Sequence, residues 1–202
     1  MDYKLNKVEL TRLRRQVKTY NQYLPVLKLK QEQLQAEQLK ARRALVALRE
    51  SLLQAKADVA SVIPMLAEHL VFDMTKYLRA LEVELTKTTV AGVEVPEIGT
   101  VVFAMLSISY FGNPAWVPRA VEKLRDLVRL HIKASVFEER LARITAELRR
   151  TTQRVNLFEQ VLIPDSKEAI RRIRIALGDQ QVAAVGRAKI AKRKTVAAGR
   201  AS

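Results

Sequence analysis

Apolar residues recur at alternating steps of three and four along the first part of this chain. Between Leu10 and Leu66 they occupy fifteen of seventeen such positions, and only Gln31 and Gln38 interrupt the pattern. A repeat sustained over this length is typical of a coiled-coil seam, with the two glutamines as register-setting polar positions. Pro25 and Pro64 fall inside the pattern without changing its phase, so we expect a kink at each of them in a continuous helix.

A second seam begins near Leu127 and contains one polar member, Thr151. Pro164 is predicted to end or bend this helix, and Asp165 and Ser166 are predicted to cap a helix that restarts beyond it. Because long helices depend on burying their apolar faces, the two seams are expected to pair. The residues between them leave room for a turn, so an antiparallel pair within one chain is predicted.

The central region has a different composition. Residues 88–95 and 101–110 are rich in β-branched and aromatic side chains, and Pro96 and Gly99 lie between them, which predicts a short β-hairpin. The expected fold is mainly α, a long antiparallel two-helix coiled coil whose short central region can contain a hairpin. Its divisions are a long N-terminal helix over 1–85, a turn region over 86–117, and a C-terminal helix with a basic tail over 118–202. Any strands are expected within 86–116.

The longest uncharged run, residues 98–118, is as long as a membrane span. Gly112, Asn113 and two prolines interrupt it, and the remaining apolar block is too short for a transmembrane helix. The chain has no cysteine, which excludes disulfides and thiolate metal sites. Its first residues lack the apolar core of a signal peptide, so we expect a cytoplasmic location.

Catalytic and ligand-binding motifs are missing from the sequence. There is no P-loop, no dinucleotide-binding glycine pattern and no paired-histidine metal motif. The sequence therefore predicts a protein that is not an enzyme and that has no catalytic residues, cofactor or metal of its own.

The net charge of +15 is concentrated at the two ends of the chain. Residues 1–60 hold 13 Lys and Arg against 6 Asp and Glu, residues 61–164 hold 13 against 12, and residues 165–202 hold 10 against 3. An antiparallel fold would bring both basic ends together. A charge of this size ordinarily suggests nucleic acid or an anionic membrane as the partner, and a basic coiled coil that binds nucleic acid is one interpretation of this chain.

Several sequence blocks carry a family resemblance. The motif around Arg154, Val155, Asn156, Glu159, Ile163 and Pro164, followed by Ile170-Arg171-Arg172-Ile173, resembles the signature of the D subunits of V-type (vacuolar/archaeal-type) ATPases and ATP synthases. The opening segment Leu10-Thr11-Arg12-Leu13-Arg14-Arg15-Gln16 and the segment Gly92-Val93-Glu94-Val95-Pro96 are similar to further family blocks. Gln153, Leu157 and Phe158 depart from the signature.

The resemblance implies a non-catalytic rotor shaft on the cytoplasmic face of a membrane. Its two termini would enter the hexamer of catalytic A and regulatory B subunits, and its middle would contact the F subunit and a C or d subunit that links it to the membrane ring. No nucleic acid is expected. The candidate partner-contact or structural residues are Arg12, Arg14, Arg15, Arg154, Asn156, Glu159, Pro164, Arg171, Arg172, Arg187, Lys189 and Lys192.

Overall fold

The computed structural model describes residues 3–60, 63–64, 75–105 and 114–198, and only the backbone of 75–76 and 195–198. The elements are helix α1 (Lys7–Ala60), the single turn α2 (Thr75–Leu78), strands β1 (Ala80–Val90) and β2 (Val93–Phe103), helix α3 (Val117–Asn156), a π-helical segment (Leu157–Leu162) and helix α4 (Ile163–Ala198). The mainly α fold with two long helical segments and a short antiparallel hairpin is confirmed.

The chain forms two units, and each contains part of both long helices. The terminal unit comprises residues 1–29 with 151–202, and the central unit comprises residues 30–150. Helix α1 runs through Pro25 without a break in its helical assignment, as the unbroken heptad phase predicted. The second kink, expected at Pro64, falls among residues 61–74, most of which lie outside the described part of the chain.

Packing in the central unit follows the seam that the sequence predicts. Leu34 and Ala41 of α1 form a buried cluster with Ile144 of α3 and Val95 of β2. Farther along α1, Leu48 and Leu52 pack with Ala134 in a second cluster. Positions that increase along α1 meet positions that decrease along α3, so the two helices are antiparallel.

Polar contacts between α1 and α3 of the central unit run in the same antiparallel order. Gln38 Nε2 donates to Thr145 Oγ1 at 2.8 Å, as suits a register-setting polar position. The Lys30–Glu147 and Arg49–Glu138 ion pairs, at 3.0 Å and 2.8 Å, flank it. These contacts are mostly exposed, so they select a register more than they add stability.

The structure contains the predicted hairpin, but its turn lies at a different position from the predicted one. The strands reverse at Ala91 and Gly92, both at positive φ, and Val90 pairs with Val93. Pro96 and Gly99, the expected turn residues, lie within β2. A proline is tolerated there because each strand of a two-stranded sheet has an outer edge without ladder hydrogen bonds.

Gly99 faces Glu84, where the strand register shifts. An added Cβ at position 99 would come within 3.0 Å of the Glu84 Cβ, so this glycine allows close approach at an irregularity rather than a turn. The first strand also begins earlier than expected. Residues 80–85, assigned to the first helix by the sequence, belong to β1 and pair with residues 98–103 of β2.

Arg125 fixes the base of the hairpin to α3. Its side chain is 7% exposed, and its guanidinium donates to the backbone carbonyls of Tyr77 and Ala104 and pairs with Glu122. It also lies 5.4 Å from the centre of the Phe103 ring. One buried cation thus binds the chain on both sides of the two strands.

We expect Arg125→Met to destabilise the protein by about 1–3 kcal/mol, because two carbonyls lose their donor in a partly buried site. The effect should concentrate at the hairpin base, with faster amide hydrogen exchange over β1 and β2. Arg129→Met is the matched control, since Arg129 lies over the same ring, 5.0 Å from its centre, but is exposed. Equal destabilisation by the two variants would contradict the role given to Arg125.

Candidate functional site

The terminal unit carries most of the positive charge. It holds 18 Lys and Arg against 6 Asp and Glu, a net charge of +12, whereas the central unit holds 18 against 15. All twelve candidate residues lie in the terminal unit, and every one of them is exposed. Their surface exposure suits contact with a partner better than a role in the core.

The first group lies on the N-terminal turns of α1. Asn6 accepts a hydrogen bond from the backbone N–H of Glu9 at 2.7 Å, which caps the helix start. Arg12 Nε donates to Glu9 Oε2 at 3.0 Å, and this hydrogen bond, followed by the attraction of the carboxylate, raises the pKa of the guanidinium. Arg14 and Arg15 make no ion pair with a described residue. An open groove of about 850 Å³ runs along this part of α1, with Arg12 and Arg15 among its lining residues.

The second group surrounds the π-helical segment. Arg154 lies in the last turn of α3, and Asn156 borders the segment without making a side-chain cap. Glu159 binds Lys28 of α1 at 2.7 Å. Beside this ion pair, the rings of Tyr20 and Phe158 meet edge to face, with centres 5.2 Å apart. Tyr20 and Phe158 are both members of the predicted seams, whereas Lys28 was not predicted as the partner of Glu159.

The π segment corrects the prediction that the helix could end at Pro164 and restart beyond it. The chain stays helical from α3 into α4, and the backbone N–H of Ile163 donates to the carbonyl of Phe158, five residues earlier. A π turn is wider than an α turn, and it lies directly before the position where a proline ring would press on a helical carbonyl. Asp165 and Ser166 therefore lie inside a continuous helical run and do not cap a new helix.

The spacing of the seam residues explains why one extra residue is present. Two rows of residues face α1. The first row has steps of seven, eight and seven residues and consists of Thr151, Phe158, Ser166 and Ile173. The second has steps of eight, seven and seven residues and consists of Val155, Ile163, Ile170 and Leu177. Seven residues make about two α turns, so a step of eight needs a locally widened turn to stay on the same face. Both eight-residue steps overlap the π segment.

The third group lies on α4. Ala169 and Ile173 pack on Leu10 and Leu13 of α1, which turns Arg171 and Arg172 outward. Both of these arginines pair with Glu168, at 4.0 Å and 3.1 Å. Beyond Leu177 the helix continues, and every residue from 179 to 194 except Gly186 is exposed. Arg187, Lys189 and Lys192 lie on this stretch, which we call the basic end of α4 (residues 179–194).

Two further kinds of site are absent among the described residues, a metal-ion cluster and a membrane-spanning helix. They contain no group of three or more His, Asp or Glu side chains placed to hold a metal ion. Within the described ranges no helix combines the length and the apolar character that crossing a membrane requires. The uncharged run at 98–118 begins in β2, and its residues 106–113 lie outside those ranges.

Comparison with known proteins agrees with this arrangement. The family model of the ATP synthase D subunit matches residues 9–193. The chain belongs to the ATP synthase D-subunit family. The match includes all twelve candidate residues and extends well beyond the blocks that carried the resemblance in the sequence.

Individual family members are similar over nearly their whole length. The D subunit of the V-type ATP synthase of Borreliella burgdorferi is 31% identical over 199 residues, which is 98% of each chain. The D subunit from Chlamydia muridarum is 33% identical over 95% of each chain, and that from Chlamydia caviae is 35% identical over 95% of this chain and 89% of its own. Membership of this family does not favour the nucleic-acid-binding alternative.

The eight-residue steps of the two seam rows predict opposite effects for a deletion and an insertion at one position in the π segment. Deleting the exposed Gln160 should convert the π segment to α-helix with little loss of stability, because both rows return to seven-residue steps. Inserting an alanine after Gln160 should cost about 2 kcal/mol or more, because seam residues turn away from α1. Pro164→Ala should keep the π turn, since the phase slip remains.

Urea unfolding of the three variants and crystal structures of the deletion and Pro164→Ala variants would check this. Equal destabilisation by the deletion and the insertion would contradict the explanation of the π segment by seam spacing. An α-helical 157–162 in the Pro164→Ala variant would contradict it as well.

Proposed function

We propose that the chain is the central-stalk rotor component of a V-type ATPase or ATP synthase. It transmits torque between ATP hydrolysis or synthesis in the hexamer of A and B subunits and ion translocation by the membrane ring. In this role it is non-catalytic, acts on the cytoplasmic face of the membrane and binds the membrane only through the complex. Family membership supports the complex, and the surface of the terminal unit supports the role.

The observation that carries the proposal is the basic end of α4. From residue 179 to 194 the helix has no buried residue, and Arg187, Lys189 and Lys192 are accompanied by Arg193 and Lys194. A helical segment without a buried face gains stability from a partner. In the proposed complex that partner is the inner surface of the A and B hexamer, which we expect to present carboxylates.

Exposed charges suit a contact that must change as the rotor turns. An exposed ion pair contributes only about 0–1 kcal/mol, so a lysine or arginine can exchange one carboxylate for the next at small cost. The part of α4 that precedes the basic end packs on α1 through an apolar, buried seam, in which Leu13 and Ile173 are almost inaccessible to solvent. Torque thus passes through a packed interior while the outer contacts remain exchangeable.

The central unit would make a different set of contacts. In the proposed assembly it faces the membrane side, where the F subunit and the C or d subunit bind. In this unit Arg125 binds the base of the hairpin to α3. No nucleic-acid partner is proposed.

Neutralising the basic end tests the proposal. In a reconstituted complex, the triple variant Arg187→Gln, Lys189→Gln, Lys192→Gln should lower ion transport per ATP hydrolysed at least several-fold, because the tip loses its exchangeable contacts. The matched control replaces three exposed cations of the central unit, Lys56, Lys133 and Arg149, by glutamine and should retain coupling.

The measurements are ATP hydrolysis and ion uptake in the same vesicles, together with the amount of chain that assembles. Full coupling in the basic-end variant, with normal assembly, would show that the end of α4 is merely solvated and would defeat the proposal. The triple substitution is a more specific test than truncation at residue 165, because truncation also removes Ala169 and Ile173 from the seam.

A further inference from the structure

Helix α1 carries a second apolar row in addition to its seam. Leu39, Val46 and Leu53 are 50%, 57% and 67% exposed and follow one another at intervals of seven residues. All three lie in the central unit. We call this row the outer stripe.

The outer stripe does not take part in the packing of α1 on α3. The seam residues Leu45 and Leu52 each precede a stripe residue by one position, which places the stripe about 100° around the helix from them. The seam is buried without any contribution from the stripe. Single exposed aliphatic residues are ordinary on a protein surface, but a row with a constant seven-residue interval is the pattern that one helix presents to another.

The charges beside the stripe indicate what kind of helix fits. Arg42 lies about 60° to one side of Leu39 and Arg43 about 40° to the other. Neither guanidinium pairs with a described residue, whereas the neighbouring Arg49 is already bound to Glu138 at 2.8 Å. Glu50 is the carboxylate of the same face. A partner helix with carboxylates on both sides of its own apolar row would pair with both arginines.

We propose that the outer stripe binds an acidic amphipathic helix of another protein chain, with apolar residues at heptad spacing in contact with Leu39, Val46 and Leu53. Arg42 and Arg43 select the partner by charge. The proposal concerns the central unit and shares no residue with the basic end of α4. It rests on the proposed function, which places the F subunit and the C or d subunit on the central unit, but its test measures peptide binding by the isolated chain and does not depend on the coupling assay.

The test uses the full chain and a fluorescein-labelled synthetic helix of about four heptads, with Leu at a and d and Glu at e and g. A second peptide replaces each of those Glu residues by Lys. Fluorescence anisotropy should show at least tenfold tighter binding of the acidic peptide. Val46→Glu should weaken that binding at least tenfold. Val182→Glu, which changes an exposed apolar residue on the basic end of α4, should alter it less than twofold.

Charge reversal provides an independent arm. The double variant Arg42→Glu, Arg43→Glu should prefer the lysine peptide. Equal binding of both peptides to the unchanged protein, or greater sensitivity to Val182→Glu than to Val46→Glu, would overturn the proposal. So would sedimentation equilibrium showing a dimer that Val46→Glu dissociates, since the stripe would then be covered by a second copy of the chain.

Discussion

Burial of the apolar seam is the interaction on which the other features depend. The apolar faces of α1 and α3 can be buried only against another part of the chain. Long helices draw most of their stability from such burial. In the terminal unit Leu10 and Leu13 meet Ala169 and Ile173, and in the central unit Leu34 and Ala41 meet Ile144. Every polar or charged feature described above is placed relative to these contacts, because the seam decides which residues face outward.

The seam also explains the unusual backbone next to Pro164. A proline alone could bend or end a helix, and the sequence was interpreted in that way. The buried positions show a second constraint, an interval of eight residues in both rows that face α1. A π turn satisfies the two constraints together, since it absorbs the extra residue and widens the backbone immediately before the proline. The family-like residue Asn156 therefore borders a structural irregularity and Glu159 lies inside it. The buried polar residues of this seam are Thr151 and Ser166 rather than Asn156.

The sequence predicted the features that depend on periodicity and missed those that depend on local pairing. The heptad rows located Leu13, Leu34, Ile144 and Ile173 in the core, and these are almost fully buried. The hairpin turn was misplaced because Pro96 and Gly99 are stronger turn signals than Ala91 followed by Gly92. Strand pairing places the turn at Ala91, although a non-glycine residue at positive φ is unfavourable.

The distribution of charge along the sequence predicted the basic ends, but pair contacts such as Lys28 with Glu159 depend on side-chain positions that no repeat encodes. The outer stripe was equally hidden, because Leu39 and Val46 look like further members of an apolar helix until the structure separates buried positions from exposed ones.

The two proposed surfaces differ in the physical basis of their contacts, and that difference fits their separate tasks. The basic end of α4 presents five exposed Lys and Arg side chains, and ion pairs made by exposed side chains are individually weak and exchangeable. The outer stripe places three aliphatic side chains on one face, and burial of apolar area is neither screened by salt nor easily exchanged. The proposed rotor role would need both kinds of surface, one for contacts that exchange and one for a contact that lasts. Their separation into the terminal and central units allows each to be altered without the other.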